Sequence, residues 1–199
     1  IDKKNSGYGD SMNVGLKAAT GEFIGIVETD DFITPDMYAT LYCIAIEKKL
    51  DLIKGDIIQF SGEGPERNSR YISVAGKESS YYNRVTDIQT DVIPLYFTMN
   101  TWAGIYRRAY LERNNILHNT TPGASYQDSG FWFQTFIFAQ RVYFINRPFY
   151  WYRQDNPNSS INNPDKVYCV CDEYEYIYGI LEKNPELKRI FIDIFVYRR

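Results

Sequence analysis

The first part of the chain alternates stretches of helical apolar spacing with short, nearly continuous apolar runs. Apolar residues recur every three to four positions after Asp10 and continue to about Thr20, where Gly21 predicts a helix end. Asp10 is the expected N-cap of this helix. The run that follows, residues 22–27 (EFIGIV), has the composition of a strand that is buried on both faces of a parallel sheet.

A second helix and a second strand repeat this order. Thr34, Pro35 and Asp36 predict a helix start with Thr34 as the N-cap, and helical spacing continues to about Leu50. Residues 51–60 (DLIKGDIIQF) then have the composition of a strand. Helix, strand, helix, strand is the order of an α/β protein, in which ligands bind beyond the carboxyl ends of the strands.

The rest of the chain gives weaker patterns, which divide it into an α/β domain over residues 1–165 and a C-terminal helical segment over 166–199. The α/β domain is expected to continue with a loop or weak hairpin over 61–86, a helix over 87–100 and a helix in the second half of 102–116. A helix after an N-cap at Ser125, a strand over 141–153 interrupted at Pro148 and a loop over 156–165 complete it. Helices follow from about 165, with a break at Asn184 and Pro185.

Composition argues against several classes of function. The 199 residues carry a net charge of −3 with scattered Lys and Arg, whereas a nucleic-acid-binding protein shows a basic stripe. Three Cys without a CxxC pair and a single His make a structural zinc site a poor interpretation. No apolar run approaches the roughly 18 residues of a membrane span. The odd Cys count and the lack of a signal peptide predict a cytoplasmic protein.

Three carboxylates, those of Glu28, Asp30 and Asp31, stand within four positions just after the first predicted strand. Such close carboxylates repel one another, so stability alone gives little reason to gather them. Hard cations such as Mg²⁺ and Mn²⁺ prefer oxygen ligands and bridge one or two carboxylates to phosphates. The residues alone leave two interpretations open, a divalent-metal site and a solvated loop in which Asp31 or Thr34 caps the next helix.

Asp128 also has two interpretations. Ser125 and Asp128 form the S-x-x-D pattern of a capping box, in which Asp128 satisfies a helix N-terminus. Aromatic neighbours would instead desolvate the carboxyl group and raise its pKa towards that of a useful base. His118, the one histidine, is expected in a surface or loop-packing role, and Arg153 taken alone is a weak phosphate-binding candidate.

Several short motifs follow one another in a specific order. Residues 5–38 (NSGYGDSMNVGLKAATGEFIGIVETDDFITPDMY) have the form N-x-G…N-x-G…A-x-G-E-[YF]-I, followed by an acidic turn and a helix begun by Pro. YQDSGFWF and FYWYRQDNPNSSI follow downstream. This order resembles the family 2 glycosyltransferases of GT-A fold, with their D-x-D-D turn, [EQ]-D motif and Y-Y-Y-R…S-S-I segment. The matching residues of the first segment are Asn5, Gly7, Asn13, Gly15, Ala19, Gly21, Glu22, Phe23, Ile24, Glu28, Thr29, Asp30, Asp31 and Pro35.

The resemblance implies a Rossmann-like α/β fold, the three-layer α/β/α sheet of a nucleotide-diphospho-sugar transferase, with a C-terminal helical extension. The family's first βαβ portion, which holds the nucleotide base, would precede Ile1, so residues 1–165 match a partial, N-terminally truncated GT-A domain with an incomplete donor pocket. An uncovered strand edge there predicts self-association. Two positions depart from the family pattern, because Glu28 replaces the first Asp of the turn and Met12 stands where many members carry Arg.

The resemblance also implies the reaction. An inverting, metal-dependent enzyme would move a sugar from a nucleotide-sugar donor, expected to be UDP-linked, to a hydroxyl of a glycan or lipid-linked acceptor. The expected setting is bacterial cell-surface polysaccharide synthesis at the inner face of the plasma membrane. The alternatives are a non-catalytic GT-A remnant that binds a glycan or a partner, and a nucleotidyltransferase.

Each candidate site residue takes a role from this resemblance. Asp128 would be the catalytic base, and Mn²⁺ or Mg²⁺ would lie among the carboxylates of the acidic turn, Glu28, Asp30 and Asp31. The donor would contact Asn5, Gly7, Asn13, Asp30, Asp31 and Arg153. Trp102, Tyr126 and Trp132 are candidate faces for sugar stacking, although core packing explains each of them equally well.

Overall fold

Helices and strands alternate through most of the computed structural model, which describes residues 1–122, 126–156 and 168–199. The helices are α1 (Tyr8–Ala18), α2 (Met37–Glu47), α3 (Arg108–Arg113), α4 (Gln127–Ile137), α5 (Cys169–Glu182) and α6 (Pro185–Arg198). The strands are β1 (Phe23–Gly25), β2 (Phe32–Ile33), β3 (Leu52–Ser61), β4 (Asn68–Ile72), β5 (Val85–Thr86), β6 (Gly104–Arg107) and β7 (Val142–Arg153). Short 3₁₀ helices lie at Gly64–Glu66, Ser79–Tyr81 and Ile93–Tyr96. The predicted α/β class is confirmed.

The strands form one mixed sheet in the order β1-β6-β3-β7-β2. β3 is parallel to β7, and the other strand pairs are antiparallel. β6 and β4 share one edge of β3, at its first and second halves, while β5 and β2 share the far edge of β7. The long β3–β7 pair is therefore the centre of the sheet.

β7 continues through Pro148 by means of a bulge. Gly55 of β3 pairs with Ile145, Asp56 with Pro148 and Ile57 with Tyr150, so three residues of β7 have no partner on β3. A proline lacks the N–H that a regular ladder requires, and the bulge removes that requirement locally. A Cβ at Gly55 would lie 2.7 Å from the ring of Phe149, so glycine leaves the room for this bend. The predicted interruption is thus a bulge within one strand.

The core is built around β3 and α4. The first six residues of β3 are buried. Every residue of α4 is buried except Asp128, which is half-buried, so the sequence must be apolar or hydrogen-bonded around the whole helix. Leu181 of α5 and Phe191 of α6 belong to the same hydrophobic cluster. The C-terminal helices therefore share one core with the sheet.

Lys54 of β3 lies buried at the centre of the sheet with neutral partners. Its ammonium donates hydrogen bonds to Asn100 Oδ1 at 3.2 Å and to the Tyr106 hydroxyl at 2.7 Å. Burial lowers the pKa of Lys54 well below its ordinary value. These hydrogen bonds join β3 to β6 and to the loop that precedes β6.

Two predicted elements are wrong. The strand expected over residues 22–27 is short, pairs antiparallel with β6, and alternates buried Ile24 and Ile26 with exposed Gly25 and Val27. Its run of apolar letters therefore marks a half-exposed strand, not one buried on both faces. The helix expected over 87–100 is a single 3₁₀ turn, Ile93–Tyr96, which has Pro94 near its start.

The predicted helix starts are shifted. α1 begins at Tyr8 with Gly7 as its N-cap, so Asp10 lies within the first turn. α2 begins at Met37 with Asp36 as its N-cap, two residues after Thr34. Neither N-cap makes a side-chain hydrogen bond to its helix, which is why side-chain capping rules misplaced both starts.

Other predicted elements are confirmed. The strand over 51–60 is β3, the second half of 102–116 contains α3, and the C-terminal helices break between Glu182 and Pro185. The region after β3 contains the β3–β4 hairpin. The proposed boundary at 165 lies outside the described residues, and the division into two segments stays a prediction.

β1 pairs with β6 alone among the described strands, which leaves its second edge unpaired in this part of the chain. Self-association through that edge stays a prediction. Within the described ranges, no helix has the length and apolarity needed to cross a bilayer.

The close approach of β6 to β3 at Gly104 gives a testable prediction. A Cβ at Gly104 would lie 2.1 Å from the carbonyl oxygen of Ile53, so Gly104→Ala forces the two strands apart. We expect a loss of about 2 to 3 kcal/mol in the free energy of unfolding, measured by urea titration.

Gly15→Ala is the matched control. A Cβ at Gly15 has nothing within 4 Å, and the position is inside α1, so alanine should stabilise the protein by about 0.5 to 1 kcal/mol. Equal effects of the two substitutions would contradict the strand contact.

Candidate active site

The acidic turn lies where the sequence predicts, beyond the carboxyl end of β1. Residues 28–31 form a turn in which the Asp31 N–H donates to the carbonyl oxygen of Glu28 at 3.2 Å. β2 follows at once and pairs with the last part of β7. The turn is therefore fixed on both sides by the sheet.

β7 holds the turn through hydrogen bonds. The Tyr150 hydroxyl donates to Asp31 Oδ2 at 2.8 Å and accepts the Glu28 N–H at 3.0 Å. The Arg153 N–H donates to Asp31 Oδ1 at 2.8 Å. Both oxygens of Asp31 thus take protein donors, so this carboxylate anchors the turn to β7.

The other two carboxylates of the turn have fewer protein donors. Glu28 Oε1 accepts the hydroxyl of Tyr8, from the start of α1, at 2.9 Å. Asp30 Oδ2 accepts Asn156 Nδ2 at 2.6 Å. Burial raises the pKa of Glu28, and the charges of Asp31, Asp128 and Asp30 raise it further, against the lowering effect of the Tyr8 hydrogen bond.

Asp128 lies in the first turn of α4. The helix begins at Gln127 with Tyr126 as its N-cap, in the left-handed region at φ 62°, a conformation that costs energy for a residue other than glycine. Asp128 Oδ1 accepts the N–H of Ser129 at 3.0 Å. The N-cap expected at Ser125 is one residue off, and Ser125 itself lies outside the described residues. Burial raises the pKa of Asp128.

Contacts of Tyr8 join the acidic turn to the helix that carries Asp128, although about 100 residues separate the two in sequence. Tyr8 packs edge-on against His118, which is stacked on Phe131 of α4. The charge of Asp128 raises the pKa of Glu28, and Asp128 and Glu28 both raise the pKa of Tyr8 beyond the effect of its burial. Burial raises the pKa of Tyr152, and Asp31, Asp30 and Asp128 all add to that rise. The negative charges of these four carboxylates thus repel one another and raise the pKa values of the same tyrosines, and a cation at this place would relieve the repulsion.

Three of the predicted donor contacts lie near the start of α1. Asn5 Oδ1 accepts the N–H of Gly7, which caps the helix at φ 98° and precedes Tyr8. The Asn13 side chain makes two hydrogen bonds to the backbone of His118, at 2.9 and 2.8 Å. The amide of Asn13 therefore joins α1 to the loop before α4.

Arg153, another predicted donor contact, sends its side chain away from the acidic turn. Its Nε donates to Asp155 Oδ1 at 2.8 Å, and Nη2 lies 3.5 Å from Glu63 Oε1. Only the backbone N–H of Arg153 reaches the turn.

The aromatic candidates separate into core and surface. Trp132 is buried beneath the guanidinium of Arg198, so the prediction that its ring stacks on a sugar is wrong. Trp102 is half-buried and stacked on Tyr150 at 4.3 Å between ring centroids, while Tyr126 is exposed. His118 is buried and stacked on Phe131 at 4.1 Å, which confirms its packing role.

Sequence reasoning missed the residues that support the site. They are Tyr8, Tyr150, Tyr152, Asn156 and Glu173. Tyr150 and Tyr152 lie within the FYWYR segment, so that motif could have predicted their place at the site. Tyr8 and Glu173 belong to helices whose contacts with the site depend on tertiary packing, and nothing in the local sequence marks them.

The oxygen ligands of the acidic turn form a partial coordination set for a divalent cation. In the described ranges, no group of three or more His, Cys, Asp or Glu side chains is arranged to hold a metal ion. Mg²⁺ and Mn²⁺ commonly use one or two carboxylates with waters and phosphate oxygens, so a three-residue cage is not required. Asp30 and Glu28 fit such a partial set better than Asp31, whose two oxygens already take protein donors.

Comparison with known proteins gives consistent matches. A profile described as glycosyl transferase family 2 matches residues 1–113. The chain is 27% identical over 171 residues to the glycosyltransferase EpsJ of Bacillus subtilis, which covers 83% of this chain and 47% of that protein. It is also 27% identical over 208 residues to the cholesterol galactosyltransferase of Borreliella burgdorferi, covering 99% of this chain and 57% of that protein. The chain thus spans about half the length of these curated relatives.

Solved structures share the fold. The crystal structure of residues 1–349 of S. aureus TarS in complex with UDP-GlcNAc gives a TM-score of 0.69 at 18% identity, over 91% of this chain and 48% of that one. The structure of the same TarS fragment with UDP gives a TM-score of 0.63. The fold is therefore that of a GT-A glycosyltransferase. The family profile covers more than half of the sequence, and the chain belongs to glycosyl transferase family 2.

Proposed function

We propose that the protein transfers a sugar, with inversion, from a UDP-linked donor to a hydroxyl of a glycan or lipid-linked saccharide. One observation carries the proposal: Tyr8 and His118 join the acidic turn to the helix that carries Asp128, and the charge of Asp128 raises the pKa of Glu28. A base on one side and oxygen ligands for a diphosphate-bound cation on the other are what this reaction requires.

Asp128 is the proposed base. An acceptor hydroxyl is a poor nucleophile until a base removes its proton. Burial raises the pKa of Asp128, which makes its carboxylate a stronger base than an exposed one. The surrounding helix is buried, so the side chain is held in one position at the edge of the core.

Asp30, with Glu28, would hold Mn²⁺ or Mg²⁺ together with the donor diphosphate. A bound divalent cation supplies stabilisation of the negative charge that develops on the leaving diphosphate. Asp31 keeps the turn in place through Tyr150 and β7, so that the other two carboxylates face the donor. The start of α1, with Asn5 and Gly7, lies beside this turn through Tyr8. It is the proposed place of further donor contacts.

Relatives and neighbours support the choice of donor and acceptor. TarS has been crystallised with UDP-GlcNAc and with UDP, which supports a UDP-linked donor here. The Borreliella relative is named for galactosyl transfer to cholesterol, a lipid hydroxyl. These relatives are bacterial glycosyltransferases, and the proposed setting is cell-surface polysaccharide synthesis at the inner face of the plasma membrane.

A panel of nucleotide sugars tests this function. The complete gene product is incubated with each donor, with Mn²⁺ or Mg²⁺ and with lipid or glycan extracts as acceptors, and release of the nucleoside diphosphate is measured. Metal-dependent release with one donor supports the proposal. Tight glycan binding without release from any donor would instead favour a non-catalytic GT-A remnant, and release of pyrophosphate from a sugar phosphate and UTP would favour a nucleotidyltransferase.

Asp30→Ala tests the metal role. We expect the affinities for Mn²⁺ and for UDP to fall together, by roughly 10- to 100-fold, because one cation joins the carboxylate to the diphosphate. Calorimetric titration of UDP in the presence and absence of Mn²⁺ gives both values. Asp36→Ala, at an exposed carboxylate outside the turn, is the control and should leave both affinities unchanged. Metal-dependent UDP binding that survives Asp30→Ala would reject Asp30 as a ligand.

Asp128→Asn tests the base. Asn keeps the size and the acceptor oxygen of Asp, so the free energy of unfolding should change by at most about 1 kcal/mol. Asn cannot accept a proton, so transfer should fall by roughly 100-fold or more while UDP and Mn²⁺ binding remain. Steady-state kinetics and thermal unfolding are the measurements.

Asp172→Asn is the matched control, because Asp172 is an exposed Asp in the first turn of α5. It should leave the transfer rate unchanged. An Asp128→Asn protein that unfolds early but keeps its rate per folded molecule would show that Asp128 stabilises the helix and is not the base.

A further inference from the structure

Glu173 is a buried carboxylate on α5, in the C-terminal segment, and is only 1% exposed. Its Oε1 accepts the N–H of Gly130 at 3.0 Å, and its Oε2 accepts Asn119 Nδ2 at 3.0 Å. No ion pair of the described residues includes Glu173. Burying a carboxylate among neutral partners costs free energy of folding, which indicates that Glu173 has a role other than stability.

The contact with Gly130 occurs at the start of the helix that carries Asp128. Gly130 lies two residues after Asp128 in α4, where backbone N–H groups still lack carbonyl partners within the helix. Negative charge near these N–H groups is stabilised by the helix dipole. A Cβ at Gly130 would lie 2.0 Å from Glu173 Oε1, so only glycine lets the carboxylate approach.

The contact with Asn119 connects Glu173 to the other side of the site. Asn119 follows His118, whose backbone is held by Asn13 of α1. α1 in turn places Tyr8 against Glu28 of the acidic turn. Glu173 thus joins α5, the start of α4 and the loop that contacts α1.

Glu173 also acts on Asp128 by charge. Burial raises the pKa of Glu173 to about 7, Asp128 raises it as well, and the hydrogen bonds from Asn119 and Gly130 partly offset this. Asp128 from α4 and Tyr176 from α5 itself are the titratable groups that interact with it. Because the Gly130 contact brings Glu173 to the turn of α4 that carries Asp128, we expect the two carboxyl groups to titrate as a coupled pair.

We propose that Glu173 is a positioning residue for Asp128, which fixes the first turn of α4 and sets a second negative charge beside the proposed base. This inference rests on the proposed function only for the role of Asp128. The coupling of the two carboxyl groups is a property of the folded chain.

The expected pH dependence of transfer follows from the ionisation of Glu173. Below pH 7 Glu173 is mostly neutral, because its pKa is raised to about 7. As pH rises through 7 the Glu173 carboxylate forms, and its charge increases the proton affinity of Asp128. Transfer should therefore increase as pH rises through this value.

Carboxyl ¹³C NMR of the 199-residue chain tests the coupling directly. The Asp128 carboxyl resonance is followed from pH 3 to 9 in the unmodified protein, in Glu173→Gln and in Glu175→Gln. We expect two inflections in the unmodified protein, the second near pH 7, and loss of the second in Glu173→Gln alone. Glu175 is exposed on the same helix, so Glu175→Gln should keep both inflections.

Two outcomes would overturn the proposal. One is a single inflection of Asp128 in the unmodified protein, and the other is a second inflection that persists in Glu173→Gln. The first outcome is measured on the unmodified protein, so the proposal can be tested even if Glu173→Gln does not fold. Thermal unfolding checks the fold, and the stability of Glu173→Gln relative to the unmodified protein should rise between pH 4.5 and 7, because over that range Glu173 ionises in the unfolded chain but stays protonated in the folded one.

The pH dependence of transfer by the complete gene product separates this inference from the proposed function. Glu173→Gln should lose the rise in rate near pH 7, and Glu175→Gln should keep it. A rise that persists in Glu173→Gln rejects the positioning role, while the role of Asp128 as base stands on its own variant. An NMR coupling found together with full activity of Asp128→Asn confirms the contact and rejects Asp128 as the base.

Discussion

The hydroxyl of Tyr150 connects the centre of the sheet to the acidic turn, and the geometry of the candidate site depends on this connection. It donates to Asp31 and accepts the Glu28 N–H, so one side chain fixes both ends of the turn. Tyr150 itself is buried in β7, paired with Ile57 of β3 and stacked on Trp102. The bulge at Pro148 sets the register of this part of β7, because the residues after it would otherwise face different partners on β3.

The site gathers carboxylates with little positive charge from the protein. The hydrogen-bond donors to Glu28, Asp30 and Asp31 in the described residues are two tyrosine hydroxyls, one asparagine amide and one backbone N–H group. Arg153 is near in sequence, yet its guanidinium pairs with Asp155 and Glu63. Neutral donors hold the carboxylates in place but leave their charge uncompensated, which is the condition under which a divalent cation binds.

The C-terminal helices are part of this arrangement through their packing. α5 packs on α4, and its Glu173 meets the first turn of α4 at Gly130. Arg198 at the end of α6 donates to the carbonyl oxygens of Leu95 and Phe97, in the loop that leads towards β6. The two C-terminal helices thus support α4 and the segment before β6.

The sequence by itself determined the class of fold, the central strand β3, the C-terminal pair of helices and the place of the acidic turn. These features rest on local patterns, such as apolar spacing, a proline break and carboxylates at a strand end, which need no knowledge of the rest of the chain. The order of motifs also led to the family and to Asp30 and Asp128 as candidates.

Only the tertiary structure decided which residues support those candidates. The antiparallel pairing of β1 with β6, the burial of Trp132 and the clamp of Asn13 on His118 depend on segments far apart in sequence. Tyr8 and Glu173 reach the site from two helices, and their local sequences contain nothing that distinguishes them from other tyrosines and glutamates, whereas Tyr150 lies within the FYWYR motif. Helix starts at Tyr8, Met37 and Gln127 were also beyond local rules, because none of their N-caps uses a side-chain hydrogen bond. Local patterns fix which elements form, while burial and long-range hydrogen bonds fix what each side chain contacts.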